Sequence, residues 1–592
     1  MNYENMTQHK SNRKTKAWNS IIILLSGIGL IVFISVLFPQ IRRMILDYLL
    51  EHFIHREIST YQIWFKVLLS SAVCGICCIL FFDYCTLTNS GRSLVQKVKW
   101  EIKDCWSEIN FRSFLKPSIL LLCIYFLGIL TIIRANFLYR DDILRAGEGS
   151  RLWFCGSRYV SEILSIFIHT DTVLTDISPL PQLLAILILS LSSVLLVYII
   201  GNKKITTVGL LASIPLGLSP YFLECLSYKF DSVYMALSIL ASIVPFLFVA
   251  RKKSFVFVSI ISLLIMCMTY QASSGIYMMI VVVLCFQYWN NREKTNKEIL
   301  SFLVTSAITF CFALLFFKFF FMKPANAQET GYVSYSMFPA SHIISGTLGN
   351  IKNYAIIINN DLGVIWKTSI VIVLLFFITK SVYSSTQRKI LSFFISIPII
   401  ILSFILSYGA YSLLAVPLYD PRALLGFGIF LAIICIYIVS DYKKIASIVV
   451  LALNWCFLVF AFSYGNALAD QARYAEFRIT ILLHDLSGLY PNASEEDLSI
   501  QLKNSIDFTP TVKNIAKHYP VIEKLVQTRL AEGVSWDDYY YLDYFNYCGY
   551  KIANWLDVDY IDFNALDLPV ALDSYYHTIK SDGKHILVIL KH

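Results

Sequence analysis

Two adjacent carboxylates, Asp141 and Asp142, directly follow an apolar run, and Arg145, Arg151 and Arg158 come soon after them. A carboxylate can act as a general base, and guanidinium groups can hold a phosphate through paired hydrogen bonds. Attack by a sugar hydroxyl on a phosphate-activated sugar needs both kinds of group. The alternative is that the two acids only end a helix at a membrane interface. Position along the chain does not say which aspartate is the base.

The same chemistry predicts further site residues in later loops. The candidate phosphate ligands are Arg145, Arg151, Arg158, Lys229 and Arg422. The candidate substrate-binding residues are Trp153, Glu224, Tyr228, Asp231, Tyr270 and Gln271. Trp153 and Tyr270 could stack on a sugar, although aromatic rings also form belts at membrane interfaces. If positioned base catalysis operates, we expect Asp142→Asn to lower the rate of this sugar transfer by about 10²–10⁴-fold. We expect Arg145→Ala to weaken the binding of the phosphate-activated sugar by about 1.5–3 kcal/mol.

The composition says what must position these residues. Of the 592 residues 57% are hydrophobic and only 15% are charged, which indicates a polytopic, mainly α-helical membrane protein. Runs of about 20 apolar residues can cross the bilayer, and the sequence predicts about thirteen of them. Their approximate ranges are 18–38, 62–83, 116–134, 181–200, 205–219, 231–250, 254–269, 275–290, 299–321, 366–384, 389–408, 422–440 and 444–464.

Basic residues indicate the orientation. Lys and Arg recur in alternate loops, such as Arg251 to Lys253, as the positive-inside rule expects for cytoplasmic loops. We therefore expect a cytoplasmic N-terminus, with the Asp-Asp loop and the C-terminal tail both outside the cytoplasm. The net charge of +9 is spread over these short loops and forms no nucleic-acid-binding stripe.

After about residue 464 the sequence becomes that of a soluble protein. Thr509 and Pro510 are typical of a helix start, and apolar alternation around Asp582-Gly583 predicts a β-hairpin. The domain prediction is an N-terminal segment with two additional spans (1–115), a transmembrane core (116–464) and a small extracytoplasmic α/β domain (465–592).

Several ordered motifs carry a resemblance to a known family. They are the Asp-Asp pair with Arg145, Gly147, Trp153 and Arg158, then Ser178 to Leu180, Ser219 to Ser238, Thr269 to Tyr277, Asp420 to Gly428 and Gln471 to Leu486. Over about residues 116–490 the chain resembles the Gtr-type bacterial O-antigen glucosyltransferases of the GtrII family. It departs from that pattern in two additional N-terminal spans and in the tail after about residue 490.

The resemblance implies a GT-C-like fold in the bacterial inner membrane and a catalytic carboxylate on the first large periplasmic loop. It also implies undecaprenyl-phosphate glucose as donor and O-antigen of lipopolysaccharide as acceptor. Asp141 or Asp142 would be the base of an inverting reaction, with Arg145 and Arg158 near the phosphate. The sequence offers no cofactor motif and no complete metal-ligand set, although an acidic pair near phosphate could hold a divalent ion.

Two other functions compete with this one. A polysaccharide polymerase or ligase also joins lipid-linked sugars, and would rely on outer arginines without needing an aspartate base. A lipid-linked sugar flippase would carry polar groups at the membrane midplane, whereas here the mid-span positions are mainly aliphatic and the charges lie at one interface.

Overall fold

The structure is a computed structural model that describes residues 96–97, 100–101, 111–322, 334–339, 341–440, 444–493, 498–531, 540–550 and 563–591. The chain divides into two compact units, Met1–Ile109 and Asn110–His592. The two spans predicted at 18–38 and 62–83 lie outside the described residues. The second unit contains the candidate site and is the one described below.

Helices dominate the second unit. They are α1 (Phe111–Ala135), α2 (Asp142–Glu148), α3 (Tyr159–His169), α4 (Leu180–Ile200), α5 (Thr207–Ala212), α6 (Pro215–Leu218), α7 (Pro220–Ser227), α8 (Ser232–Ile243), α9 (Lys252–Cys267), α10 (Ser274–Asn290), α11 (Asn296–Phe320), α12 (Ile343–Asp361), α13 (Val364–Ser384), α14 (Lys389–Ser407), α15 (Gly426–Val439), α16 (Lys444–Leu489), α17 (Pro510–Ala516), α18 (Ile522–Leu525) and α19 (Tyr540–Tyr547). Short 3₁₀ helices cover Val244–Phe248, Gln271–Ser273, Gly409–Leu413, Pro421–Leu424 and Phe563–Ala565.

Eight helices within the described residues are long and apolar enough to cross a membrane. They are Phe114–Ala135, Leu180–Ile200, Gln271–Asn290, Asn296–Phe320, Val364–Ser384, Lys389–Ser407, Pro421–Val439 and Lys444–Leu489. The count becomes nine if the bent pair Thr207–Leu218 and Pro220–Ser227 forms one span. The protein is therefore a mainly helical, multi-pass membrane protein, and the predicted total of about thirteen spans is not confirmed.

Three predicted spans differ from the observed helices. The run at 205–219 continues into a second helix bent by 60°, because Ser219 is extended and Pro220 starts the next helix. The runs at 231–250 and 254–269 contain helices of only 12 and 16 residues. At about 1.5 Å per residue these are shorter than a hydrocarbon core of about 30 Å.

Two small sheets complete the unit. β1 (Ser334–Met337) pairs antiparallel with β2 (Leu414–Val416). The second sheet has the order β3-β6-β5-β4, from Ser499–Lys503, His585–Leu590, His577–Ser581 and Val570–Asp573. Its β5-β6 hairpin turns at Gly583, with φ at +96°, which confirms the hairpin predicted there. Thr509 caps α17 by accepting from the Val512 amide, as its sequence predicts.

The helix α16 joins the membrane part to the tail. Its 46 residues correspond to about 69 Å, more than twice the thickness of a hydrocarbon core. The boundary predicted at residue 464 falls inside this helix. Its C-terminal half packs in one apolar cluster with Leu138 and Ile143 beside the Asp-Asp pair and with Phe545 and Val588 of the tail. The tail and the Asp-Asp loop therefore share one core.

Candidate functional site

The connection between α1 and α4 carries the Asp-Asp pair and three of the predicted phosphate ligands, Arg145, Arg151 and Arg158. After α1 the chain runs through Asn136 to Arg140 and starts α2 at the Asp-Asp pair. Acidic residues stabilise a helix N-terminus, where unpaired amides give a partial positive charge. Gly149 ends α2 in the left-handed conformation, with φ at +70° and its amide bonded to the Arg145 carbonyl. A side chain at Gly149 would meet Val173, so the glycine lets the chain turn back toward the site.

Asp142 points into the protein and is fully buried. Its Oδ2 accepts hydrogen bonds from the backbone amides of Tyr139 and Lys229, each at 3.0 Å. Burial raises the pKa of Asp142 to about 8, against the opposing effect of those two amides. At neutral pH this carboxyl is therefore protonated, and it joins the Asp-Asp loop to the loop after α7.

Asp141 has the opposite environment. Its side chain is 43% exposed, and as N-cap residue of α2 it makes no side-chain capping hydrogen bond. Partial burial favours the neutral acid, but Arg145, Arg422, Arg140 and Arg158 outweigh it and hold the pKa of Asp141 below its usual value. The adjacent acids thus differ, one being accessible and ionised and the other buried and neutral.

Arg145 is held in a buried cluster behind Asp141. Its Nη1 lies 2.7 Å from Asp231 Oδ2, and its Nη2 lies 3.9 Å from Asp141. The guanidinium also stacks on the Trp153 ring at 4.1 Å, and the Trp153 indole donates to the other oxygen of Asp231. The Arg145 side chain is only 7% exposed, and two ion pairs and one cation–π contact fix its position.

Two more predicted phosphate ligands are paired with acids. Arg151 Nε lies 2.9 Å from Glu162, and the same carboxylate accepts from the Trp153 amide at 3.1 Å. Lys229 Nζ lies 3.0 Å from Asp176 and 2.6 Å from the Asn136 side chain. Both cations therefore connect separate segments of the chain.

Arg422 approaches from the start of α15. Its backbone amide donates to Glu224, and its Nη1 donates to the Tyr228 hydroxyl. Asp420 lies 3.5 Å from Arg422 Nη2 and 2.8 Å from Arg140 Nη1, so one carboxylate bridges the two guanidinium groups. Arg140, Arg422 and Asp141 therefore belong to one electrostatic group.

Three more predicted residues, Arg158, Tyr270 and Gln271, join the segment before α3 to the start of the 3₁₀ helix Gln271–Ser273. The Arg158 guanidinium stacks over the Tyr270 ring at 5.0 Å, and the Gln271 amide donates to the Gly156 carbonyl at 3.1 Å. Trp153 and Tyr270 are each 2% exposed, and an arginine covers one face of each ring. In this structure the two rings support arginines, and sugar stacking on them stays an untested prediction.

Among the described residues, no group of three or more His, Cys, Asp or Glu side chains could hold a metal ion. The predicted site residues come from five segments: the α1–α2 connection with α2, the α2–α3 connection, α7 with the loop after it, the segment before α10 and the 3₁₀ helix before α15. Sequence reasoning missed Tyr139, whose hydroxyl lies 3.0 Å from Glu224 and 2.9 Å from the Leu525 carbonyl. It also missed Arg140 and Asp420 as a pair, which only the fold brings together.

Comparison with known proteins adds two matches. The family model described as glucosyl transferase GtrII matches residues 130–433, which include every predicted site residue. The uncharacterized 55.3 kDa protein in the gtrB 5′ region of Salmonella phage P22 is 24% identical over 464 residues, covering 72% of this chain and 89% of that protein. No solved structure matches.

Proposed function

This chain belongs to the GtrII glucosyl transferase family, and we propose that it transfers a glucosyl unit from undecaprenyl-phosphate glucose to O-antigen at the periplasmic face of the bacterial inner membrane. Membership makes it a membrane glycosyltransferase with a sugar donor and an acceptor. The donor, the acceptor, the side of the membrane and the mechanism belong to the proposal.

The observation that carries the proposal is the position of Asp141, whose side chain is 43% exposed and lies 3.9 Å from the Arg145 guanidinium. An accessible, ionised carboxylate can take a proton from an acceptor hydroxyl. The buried neutral Asp142 lacks both properties at neutral pH. We therefore propose that Asp141 is the base. Asp142 holds the loop in place by accepting hydrogen bonds from the backbone amides of Tyr139 and Lys229.

The arginines around Asp141 fit a departing phosphate. Arg158 and Arg422 come from separate elements and both act electrostatically on Asp141. In the proposed reaction the acceptor oxygen forms a bond to C1 of glucose while its proton passes to Asp141. The bond from C1 to the phosphate oxygen breaks, and undecaprenyl phosphate leaves with the bonding electrons. A single displacement of this kind inverts the anomeric centre.

The remaining predicted ligands take supporting roles in this proposal. Arg145, Arg151 and Lys229 are each ion-paired with a carboxylate, and they fix the loops that carry Asp141. Glu224, Tyr228 and Asp231 are buried partners of the arginines. They determine where a donor phosphate meets the guanidinium groups.

Donor binding should also strengthen the base. The arginines that lower the pKa of Asp141 would be partly neutralised by the negative charge of a phosphodiester. The pKa of Asp141 would then rise toward its usual value of about 3.9 or above. A carboxylate of higher pKa is a better proton acceptor, so the base becomes more effective once the donor is in place.

The location of the charges supports transfer over transport. The ion pairs described above join residues near helix ends and in connecting segments, as in a site at one membrane interface. The basic residues in alternate loops support a cytoplasmic N-terminus, and with it a periplasmic position for this site and the tail.

The test is a transfer assay with purified protein in detergent. Labelled undecaprenyl-phosphate glucose and O-antigen acceptor should give labelled polysaccharide with an inverted anomeric configuration. UDP-glucose, which lacks the lipid, should give none. Retention of configuration would refute the single displacement, and transfer from UDP-glucose at a comparable rate would refute the lipid-linked donor. Absence of transfer from well-folded protein would refute the proposed function.

A further inference from the structure

The segment from Val521 to Ala531, outside the residues matched by the family model, lies directly behind the Asp-Asp loop. The Leu525 carbonyl is 2.9 Å from the Tyr139 hydroxyl. Residues from this segment and from α19 pack with Leu138 and Ile143 in one apolar cluster. The tail therefore forms the back wall of the loop that carries Asp141.

Arg529 makes the most specific contacts across this boundary. Its guanidinium stacks 4.0 Å over the Phe137 ring and 4.8 Å from the Tyr544 ring. Nη1 donates to the Tyr544 hydroxyl at 3.0 Å, and Nη2 donates to the Leu138 carbonyl at 3.4 Å. A planar guanidinium can stack and donate at the same time, which an ammonium cannot do.

The backbone of Arg529 is itself constrained. Its φ is +66°, a left-handed conformation that a residue with a side chain adopts only where the surroundings enforce it. Neighbouring hydrogen bonds supply that constraint, since the Ile506 amide donates to the Leu530 carbonyl at 3.0 Å. The guanidinium is therefore presented to residues 137 and 138 by a fixed piece of backbone.

The residues that Arg529 contacts, Phe137 and Leu138, lie only four and three residues before the proposed base, Asp141. Phe137 and Leu138 precede Tyr139, whose amide donates to Asp142. The Asp142 amide in turn donates to the Tyr139 carbonyl at 3.1 Å, closing the turn that starts α2. A displacement of residues 137–139 would therefore move Asp141 relative to Arg422, in the 3₁₀ helix before α15, and to Arg158, at the start of α3.

We propose that Arg529 is a positioning residue for the transfer reaction: by clamping Phe137 and Leu138 against Tyr544, it sets the position of Asp141. The effect on transfer rests on the proposed function, whereas the clamp can be measured without activity. Displacement of a reacting group by about 1 Å can cost about 100-fold in rate. We expect kcat to fall about 10–100-fold in Arg529→Ala, with the KM for donor changed less than about threefold.

Arg478 provides a matched control. It is buried, and like the half-buried Arg529 it packs on two aromatic rings, with its guanidinium 5.6 Å from the Tyr474 ring and 4.9 Å from the Tyr576 ring. It donates to the Tyr576 and Lys591 carbonyls and so holds the β-sheet end of the tail, not the Asp-Asp loop. Arg478→Ala should lower the melting temperature while leaving kcat within about threefold of wild type, measured well below melting.

The first measurement is amide hydrogen exchange in the full chain. Arg529→Ala should speed exchange at Tyr139, Asp142 and Ile143, whose amides form the turn, and Arg478→Ala should not. Unchanged exchange at these three amides in Arg529→Ala would overturn the clamp, whatever the protein catalyses. This readout also separates a failure of the inference from a failure of the proposed function.

The second measurement is the kinetic comparison in the transfer assay. Tyr544→Phe removes only the acceptor of the Arg529 hydrogen bond, so it gives a well-packed variant if Arg529→Ala folds poorly. It should lower kcat less than Arg529→Ala does, and Arg529→Lys should not restore the rate because it lacks the planar stack. Wild-type kcat in both Arg529 variants, or an equal loss of kcat in Arg478→Ala, would overturn the positioning role.

Discussion

Replacing each of the two neighbouring aspartates by asparagine should change the rate of transfer by very different amounts. Asp141→Asn keeps the size of the side chain but removes its ability to take a proton. Positioned base catalysis is worth about 10²–10⁴-fold, or about 3–5 kcal/mol of the barrier. We expect this loss of rate together with a lower melting temperature, because the arginines that hold the pKa of Asp141 below its usual value also stabilise the fold through its charge.

Asp142→Asn should be close to silent. The carboxyl is neutral at pH 7 because burial raises its pKa to about 8, and an amide oxygen can accept the same two backbone hydrogen bonds. Transfer should stay within about threefold of wild type, contrary to the 10²–10⁴-fold loss expected from the sequence. Asp142→Ala removes the acceptor and leaves two buried amides, at a cost of about 1–3 kcal/mol each.

The assay is single-turnover transfer at saturating donor, with melting temperature measured on the same preparations. Full activity in Asp141→Asn would refute the assignment of the base. A 100-fold or larger loss in a stable Asp142→Asn variant would show that Asp142 is ionised and reactive in the functional protein. That result would refute the reasoning from burial.

Three further predictions concern pH and packing. If donor phosphate raises the pKa of Asp141, the acidic limb of the kcat profile should lie at higher pH than that of kcat/KM, and coincident limbs would contradict this. Asp142 has a folded pKa above its unfolded value; its stabilising contribution is complete below about pH 4 and decreases up to about pH 8. Wild-type melting temperature should therefore fall over that range relative to Asp142→Asn, and parallel curves would contradict it. Gly275→Ala would place a Cβ atom 1.7 Å from a carbonyl oxygen of α14 and should prevent folding, whereas Gly349→Ala meets nothing within 4 Å and should not; equal yields of folded protein would contradict this.

Local signals predicted much of the fold. Apolar runs gave most of the long helices within a few residues, because a segment in lipid must satisfy its own backbone hydrogen bonds. The hairpin at Gly583 and the cap at Thr509 depend on neighbouring residues alone. The sequence prediction ended a span at residue 219 and did not include the helix Pro220–Ser227 that follows the bend.

The side-chain contacts of the site were not predicted, because they join residues that are far apart in the sequence. The sequence named Trp153 as a candidate for stacking on a sugar, which stays untested, but it did not predict the contacts of this ring with Arg145 and with Asp231, which is 78 residues away. The clamp at Arg529 joins residues 391 positions apart. Nothing in the local pattern around Arg529 distinguishes it from a surface arginine. Only folding of the tail onto the loop reveals its partners.

The difference between Asp141 and Asp142 follows from helix geometry. Successive residues at a helix start point about 100° apart, since a turn takes 3.6 residues, so the packing of α2 through Ile143 directs one acid inward and the other outward. The inward acid loses water and becomes neutral, and the outward acid meets arginines and stays ionised. One residue of shift in the helix start would move both acids out of these positions. The pair therefore needs a fixed loop, which explains why buried ion pairs and the tail converge on this short segment.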